Sequence, residues 1–406
     1  MTARPRPAEI PDGRPLVVYG PWSLRYDFGP SHPLTPRRFG PGISLLEALG
    51  AEHFLAPLPA GDAALRLVHT GRYIETVKGA EVDPFSAALA GFGPGDNPVF
   101  PGMHEAAAAV AGGSLAAMER LLGGSETHVF HPGGGLHHAM ADRASGFCVY
   151  NDPALAIARA RQEGLRVLYV DLDVHHGDGV QAAFWEDPAV MTISLHESGD
   201  HLFPGTGFVA ETGGRDARGT KVNVPFAPGT SDTDWLAALE RLVPPLALAH
   251  RPDILVTQHG CDSHVLDPLA HLFLTMRAMH RAARLFDQLA HRHCAGRWLA
   301  TGGGGYDIFR VVPRSWALVW SAQAHAEPDD VLPEGWRARW AADAERAGQA
   351  PIPERMLDSA DMVRHDPAVS RTNARTLDLV ERTVRELLGG HAPSGQSAGA
   401  PGWGGS

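Results

Sequence analysis

The feature that most constrains this chain is a pattern repeated along most of its length: a short β-branched apolar run, a glycine-rich or polar loop, then an amphipathic segment. This alternation is typical of an α/β fold, because each crossover between parallel strands lays a helix on one face of the sheet. It predicts a three-layer αβα domain with a mostly parallel central sheet. Strands are predicted at 16–20, 127–131, 166–172, 190–195, 253–258 and 297–302.

Helical segments and chain ends complete the predicted organisation. Helices are expected at 104–122, 152–163, 232–248, 275–293 and 370–389. Residues 1–15 and 391–406 have the composition of a disordered lead and tail, which leaves a main domain at 16–325. Residues 326–390 are predicted to form an extension that packs on this domain. Two stretches of the extension are expected to be irregular, at 327–340 and 349–362.

Composition narrows the class of protein. The hydrophobic fraction of 44% and the charged fraction of 20% are typical of a soluble globular protein, and no apolar run has the roughly 18 residues of a membrane span. The net charge of −11 disfavours binding to nucleic acid, whose phosphates attract basic surfaces. Cys148, Cys261 and Cys294 form no CxxC pair, and no secretory signal is evident. We therefore expect a cytoplasmic protein that binds neither nucleic acid nor membrane.

Four motifs rich in glycine and titratable residues directly follow predicted strands. They are HPGGGLHHA after 127–131, DVHHGDG after 166–172, HGCDSH after 253–258 and GGGGYD after 297–302. Because ligands bind beyond the carboxyl ends of strands in open α/β sheets, we expect the motifs to meet at one rim. A lone Asp-x-His would usually be a turn or capping element, but four coinciding motifs favour a functional site.

The motif after residue 171 predicts a metal site. Asp171, Asp173 and His175 point the same way as long as the backbone stays extended. A carboxylate and an imidazole two residues apart make a natural ligand pair, and Asp262, at the end of another strand, is the best candidate for a third ligand. Two carboxylates and one imidazole suit zinc, ferrous iron or manganese.

A second pair of histidines and a tyrosine predict the accompanying chemistry. His137 and His138 follow three glycines that permit close approach of a ligand, and Asp171 and Asp178 are available as their carboxylate partners. Tyr306 is suited to donate a hydrogen bond to a developing oxyanion. Together these groups predict metal-assisted hydrolysis. Five histidines outside motifs are expected to be surface or satisfied-core residues scattered along helices, namely His250, His271, His280, His291 and His293. His176 is expected to pack or hydrogen-bond beside the site.

In the order and identity of its motifs, the chain resembles the histone deacetylase superfamily, specifically its bacterial acetoin-utilisation deacetylases. The resemblance covers about residues 16–325 and rests on SHPLTPRR, GDNPVFPGMHEA, HPGGGLHHAMADRASGFCVYND, DLDVHHGDGV, MTISLHE, LFPGTG, NVPF, QHGCDSHVLDPLAHL and GGGGY. It implies an arginase/deacetylase fold with about eight strands. It also implies that residues 16–325 are a zinc-dependent deacetylase domain.

The family pattern implies a role for each matching residue. The zinc ligands would be Asp173, His175 and Asp262. The catalytic groups would be His137, His138, Tyr306, Asp171 and Asp178. The substrate-binding residues would be Asp96 at the rim, Phe147 and Phe203 as tunnel walls, and Gly146 and Leu269. An internal channel would hold Arg38, and a structural potassium site would use Asp171, Asp173, His175, Ser194 and Leu195.

The implied reaction is hydrolysis of an N-acetyl amide to an amine and acetate, with acetyl-lysine of proteins as the favoured substrate. Three alternatives remain open. The same site would suit acetylated polyamines or other small amides. A binuclear manganese ureohydrolase shares the fold, and DSHVLDP faintly echoes its second metal motif. An inactive acyl-lysine binding module is the third. The sequence leaves the oligomeric state open.

Overall fold

All the strands of the described chain belong to one parallel sheet. The computed structural model describes residues 14–389. Its strands are β1 (Leu16–Val18), β2 (Phe54–Leu55), β3 (His128–His131), β4 (Val167–Asp171), β5 (Val190–Glu197), β6 (Lys221–Phe226), β7 (Ile254–Gln258) and β8 (Trp298–Thr301). Their order across the sheet is β2-β1-β3-β8-β7-β4-β5-β6, and every neighbouring pair is parallel.

Helices cover both faces of this sheet. They are α1 (Phe39–Ala48), α2 (Asp62–Leu65), α3 (Gly71–Gly79), α4 (Pro84–Leu89), α5 (Met103–Leu122), α6 (Asp152–Gln162), α7 (Asp178–Ala183), α8 (Asp232–His250), α9 (Met276–His293), α10 (Val312–Gln323), α11 (Glu334–Arg346) and α12 (Pro367–Gly389). One face packs against α5, α6 and α7, and the other against α1, α8, α9 and α10. The predicted three-layer αβα class is confirmed, and the sheet is entirely parallel.

Strand β4 shows why the central strands read as continuous apolar runs. Its five residues are all buried. Val167 and Tyr169 join the core on the α6 side, whereas Leu168 and Val170 join the core on the α8 side. Successive side chains of a strand point to opposite faces, so a strand covered on both sides needs apolar residues at every position.

The extension differs from its prediction in one element. Residues 334–340 were expected to be irregular, but they begin helix α11, so that part of the prediction is wrong. Trp336 and Trp340 lie one helical turn apart and pack toward α1. The Trp336 indole donates to Pro41 O at 2.9 Å, and the Trp340 indole donates to Ser44 Oγ at 2.9 Å. A two-residue apolar stripe is too short for sequence periodicity to reveal a helix that tertiary contacts stabilise.

The described part of the extension contacts the main domain at several places. Helix α11 packs on α1, and α12 packs on α8 and β6. The division at residues 325 and 326 stays a prediction. The predicted disordered lead at 1–15 lies almost wholly outside the described residues, and the tail at 391–406 lies entirely outside them. Among residues 14–389, no helix combines the length and apolarity that crossing a membrane requires.

Candidate active site

The four motifs meet at one rim of the sheet. Strands β3, β8, β7 and β4 are consecutive neighbours, so their carboxyl ends lie side by side and the loops that follow them converge. These loops surround a pocket of about 220 Å³. The predicted site residues that line it are Asp96, His137, His138, Gly146, Phe147, Asp173, His175, Phe203, Leu269 and Tyr306.

Three side chains offer metal-ligand atoms at one point beside this pocket. The Nδ1 atom of His175 lies 3.0 Å from Asp173 Oδ1 and 3.2 Å from Asp262 Oδ2. The other oxygen of each carboxylate is already held. Asp173 Oδ2 accepts from the Gln258 side-chain amide at 2.7 Å and from Gly304 N at 2.8 Å, and Asp262 Oδ1 accepts from Val174 N at 3.0 Å. These bonds fix the orientation of the ligands, as outer-shell groups do in metal sites.

The electrostatics of this group fit a divalent cation. Burial and the charge of Asp173 raise the pKa of Asp262 to about 6. Burial alone would lower the pKa of His175, but hydrogen bonds to Asp173 and Asp262 outweigh it and raise that pKa to about 10. Two buried carboxylates therefore share the positive charge of one imidazolium. A bound metal ion would supply that positive charge instead. Glycine is required at position 304, where a Cβ would collide with the Asp262 carboxylate.

Asp171 does not share this point. Strand β4 ends at Asp171, so the extended backbone on which the expected common orientation depended does not continue to His175. Asp171 Oδ2 instead lies 2.7 Å from His137 Nδ1 and accepts from the Tyr169 hydroxyl at 2.6 Å. The turn after β4 thus sends Asp171 to a histidine, and Asp173 and His175 to the candidate metal point.

The tandem histidines form two carboxylate-backed imidazoles that face each other. His138 Nδ1 lies 2.7 Å from Asp178 Oδ1, the second partner that the sequence suggested. The Nε2 atoms of His137 and His138 are 3.0 Å apart, and both rings are buried. Because each Nδ1 faces a carboxylate, each carries a proton, which leaves the two Nε2 atoms to share one further proton.

Their surroundings place that proton on His137. Burial opposes the charge on His137, but the charges of Asp171 and Asp173 outweigh it and raise its pKa to about 9. Burial, and then the positive charge of His137, lower the pKa of His138 to about 4. His138 Nε2 is therefore unprotonated and accepts a hydrogen bond from His137 Nε2, and it is the ring nitrogen of the pair that can act as a base.

Two buried residues that the sequence interpretation missed hold the histidine loop in place. Asn151 donates from Nδ2 to His137 O and Ala139 O, both at 3.0 Å. Asp152 accepts from Leu136 N at 2.8 Å and from Gly135 N at 3.0 Å. The NDP sequence resembles an ordinary helix start, and Asn151 does cap α6, so its second contact with a distant loop carried no local signal.

A third missed residue, Asp267, holds the tyrosine loop. Its carboxylate accepts from Tyr306 N at 2.8 Å and from Leu269 N at 3.1 Å. Burial and the charge of Asp262 raise the pKa of Asp267 to about 8. Burial, followed by the charges of Asp262 and Asp173, raises the pKa of Tyr306 well above its ordinary value, so its hydroxyl stays protonated and able to donate.

Aromatic side chains wall the pocket. The ring of Phe147 meets Tyr306 edge-on at 6.1 Å, and the ring of Phe203 meets His138 edge-on at 5.0 Å. Phe203 is 41% exposed, which places it toward the mouth. Gly146 has a φ of 50°, and a Cβ there would strike the His138 ring, so glycine lets the wall approach the His138 imidazole.

The remaining predicted residues lie around this centre. Asp96 is exposed at the pocket mouth. Arg38 is buried and donates to Gly303 O at 2.7 Å, and it lines a smaller cavity of about 20 Å³. Ser194 lies directly beside Asp171 in the sheet, with its hydroxyl 2.8 Å from His196 Nδ1, and Leu195 follows it.

Other histidines take more varied positions than the sequence suggested. His176 Nδ1 lies 2.9 Å from Thr206 Oγ1, a contact beside the site. His264 Nε2 lies 2.9 Å from Asp358 Oδ2 in the extension, away from the candidate metal point. The expectation that His271 lies on a helix is wrong, because it is in the loop before α9, where its Nδ1 lies 2.8 Å from Glu197 Oε1. His291 lies on α9 as expected, and its Nε2 atom is 3.2 Å from Asp287 Oδ1 in a second cluster.

Comparison with known proteins decides the family. The histone deacetylase domain family matches residues 32–323. The chain belongs to the histone deacetylase family. The acetoin utilization protein AcuC of Bacillus subtilis is 39% identical over 380 residues, which cover 91% of this chain and 97% of that protein. AcuC of Staphylococcus xylosus is 37% identical over 318 residues, covering 77% and 83%.

Solved structures agree with this assignment. A histone deacetylase homolog complexed with SAHA has a TM-score of 0.79 and 29% identity, with 90% of this chain and 99% of that chain covered. A homolog from Aquifex aeolicus has a TM-score of 0.76 and 28% identity, with coverages of 89% and 99%. The resemblance inferred from the motifs is confirmed. As a family member, this deacetylase is a hydrolase that acts on acetylated substrates.

Proposed function

We propose that this deacetylase uses zinc to hydrolyse acetyl-lysine side chains of proteins to lysine and acetate. The observation that carries the proposal is the single pocket of about 220 Å³ onto which ligand, proton-transfer and oxyanion-donor groups all open. Asp173, His175 and Asp262 would hold the ion. A zinc ion there would act as a Lewis acid toward the amide carbonyl and the attacking water.

The tandem histidines supply proton transfer. His138 Nε2 accepts a proton from the attacking water as the water oxygen bonds to the amide carbon. The same proton is then delivered to the amide nitrogen, so that the C–N bond breaks with a neutral amine as the leaving group. His137, held positive by Asp171, stabilises the negative charge that develops nearby.

Tyr306 completes the oxyanion site. Its hydroxyl donates a hydrogen bond to the carbonyl oxygen as that oxygen gains negative charge. Asp267 positions Tyr306 through the backbone, because its carboxylate accepts from Tyr306 N at 2.8 Å. The backbone that carries the oxyanion donor is thus held in place before substrate binds.

The pocket walls favour an extended apolar chain with an acetyl group at its end. Phe147, Phe203 and Leu269 line the route inward, and Asp96 lies exposed at the mouth. A lysine side chain presents four methylenes to such walls, and the Asp96 carboxylate can accept backbone N–H groups of a bound peptide. An acetylated polyamine would use the same walls but would offer no peptide backbone to Asp96.

A single metal is favoured over a binuclear manganese centre. Among the described residues, three side chains converge on the candidate metal point, and His264 contacts Asp358 instead. We also propose the structural potassium site at Asp171, Asp173, His175, Ser194 and Leu195, since Asp171 and Ser194 are neighbours across β4 and β5. Ferrous iron is the alternative to zinc at the candidate metal point. We also propose that the protein is cytoplasmic.

Side-by-side kinetics on an acetyl-lysine peptide and an acetylated polyamine test the substrate. We expect kcat/KM to favour the peptide. Asp96→Asn should lower kcat/KM for the peptide by about 10-fold to 100-fold, the effect of losing a charge-assisted hydrogen bond, while leaving a small acetylated monoamine unaffected. Asp142→Asn, which alters an exposed carboxylate outside the pocket, is the matched control. Preference for the polyamine in wild type would reverse the assignment.

A further inference from the structure

A second cluster of metal-binding side chains lies at the amino ends of the strands, opposite the pocket. His128 is the first residue of β3, and Asp287 and His291 lie one turn apart on α9. His325 follows the end of α10. Three separate elements of the fold therefore contribute to one point.

The four ligand atoms are mutually close. Asp287 Oδ1 lies 3.1 Å from His128 Nε2, 3.2 Å from His291 Nε2 and 3.1 Å from His325 Nε2. The Nε2 atoms of His291 and His325 are 3.0 Å apart. Four ligands at about 2.0 Å from a tetrahedral zinc ion are separated by about 3.3 Å, which these distances approach.

Hydrogen bonding alone leaves this arrangement unsatisfied. If both His291 Nε2 and His325 Nε2 carry a proton, the two N–H groups crowd together across 3.0 Å even when both are directed at Asp287 Oδ1. If one is unprotonated, its lone pair faces the Asp287 oxygen, and two acceptors then lie in contact. A cation at the centre makes all four contacts favourable at once.

The side chains of the cluster are oriented by neighbouring contacts and are accessible from solvent. His128 Nδ1 is bonded to Thr127 Oγ1 at 3.2 Å, which orients its Nε2, and its ring stacks on His291 with centroids 5.0 Å apart. His325 has a φ of 51°, a left-handed conformation uncommon for histidine. The His291 and His325 side chains are 29% and 35% exposed, so a hydrated ion can reach them from solvent.

We propose that this cluster binds a second zinc-class divalent ion with a structural role. Three imidazoles and one carboxylate suit zinc, and four protein ligands fill its coordination, as in structural rather than catalytic sites. The ion would join the start of β3, the carboxyl-terminal half of α9 and the segment after α10. The inference is independent of the proposed function.

Metal counting on the full-length, tag-free protein tests it. The protein is loaded with Zn²⁺, passed through a gel-filtration column and assayed for bound metal by mass spectrometry. Wild type should retain about two ions per chain, and the His291→Asn/His325→Asn variant about one. Its deacetylase activity should match wild type, since neither residue lies at the pocket. His293→Asn, two positions from His291 on α9, is the matched control and should retain both ions.

The change in Tm on adding Zn²⁺ distinguishes loss of the ion site from a folding defect. Zn²⁺ added to chelator-treated protein should raise Tm more in wild type than in the double variant. If the double variant does not fold, His325→Asn alone serves, because His325 is partly exposed and asparagine tolerates its left-handed backbone. Equal ion counts in wild type and variant, or a second ion that wild type loses on the column, would overturn the proposal.

Discussion

The two histidine–aspartate clusters at opposite ends of the sheet differ in how many ligand positions the protein fills. At the carboxyl ends, Asp173, His175 and Asp262 offer three ligand atoms beside an open pocket. At the amino ends, His128, Asp287, His291 and His325 offer four atoms around one point. With a tetrahedral ion bound, the first set would leave a position for substrate and water, and the second would leave none.

In our two proposals, the groups around a metal point decide whether it is catalytic or structural. The carboxyl-end group is catalytic in our proposal because His138 and Tyr306 open onto the same pocket. In the amino-end group, the His128 ring stacks on His291 with centroids 5.0 Å apart and meets Trp298 edge-on at 5.6 Å. Variants at matching positions of the two clusters should therefore separate stability from turnover.

The largest expected effect comes from removing one carboxylate from each cluster in turn. Asp262→Asn should lower deacetylation by at least about 10³-fold, because the Lewis acid contributes several kcal/mol to the barrier. Asp287→Asn should leave turnover close to wild type and lower Tm. Acetate-release assays with bound-metal analysis measure both. Comparable loss of turnover in the two variants would contradict the proposal that only the carboxyl-end cluster is catalytic.

A smaller loss of turnover is expected when His138, the proposed base, is removed. His138→Ala should lower kcat by about 10²-fold to 10⁴-fold, the usual contribution of a positioned proton-transfer group, with bound metal retained. His325→Asn is the histidine control from the other cluster and should keep its turnover. Steady-state kinetics on an acetyl-lysine peptide distinguish them, and a His138→Ala enzyme at wild-type rate would exclude His138 as the base.

Much of the rim was predictable from the sequence because its chemistry is local. Each glycine-rich motif directly follows a strand, and parallel strands place their carboxyl ends together, so convergence needs no knowledge of side-chain packing. Asp267 and Asn151 were missed because their partners lie far away in sequence and their own surroundings resemble turns and caps. The amino-end cluster was missed for the same reason, since His128, His291 and His325 occur in three unrelated segments.

A buried lysine outside both clusters should have a smaller effect, on the pH dependence of stability. Lys221 is 1% exposed, and its ammonium donates to Val190 O at 2.6 Å and to Thr220 Oγ1 at 2.9 Å. Burial lowers its pKa from 10.5 to about 7. Between these values the unfolded chain binds the proton more than the folded chain does, so the free energy of unfolding rises with pH.

Lys221→Met should remove that dependence. Its free energy of unfolding, measured by denaturation from pH 7 to pH 10, should rise less steeply with pH than that of wild type, by up to about 1.4 kcal/mol per pH unit. Lys78→Met, at a lysine paired with Asp62 near the surface, is the control and should keep the slope. An unchanged slope in Lys221→Met would show that this lysine is charged when buried.

Tyr306→Phe tests the proposed mechanism most directly, because it removes one hydroxyl and leaves every ligand and both histidines in place. Turnover of an acetyl-lysine peptide should fall by about 10²-fold to 10³-fold, the loss typical of one oxyanion donor. Bound zinc and Tm should remain at their wild-type values. Deacetylation near the wild-type rate by this variant would contradict the assignment of the pocket as the catalytic centre.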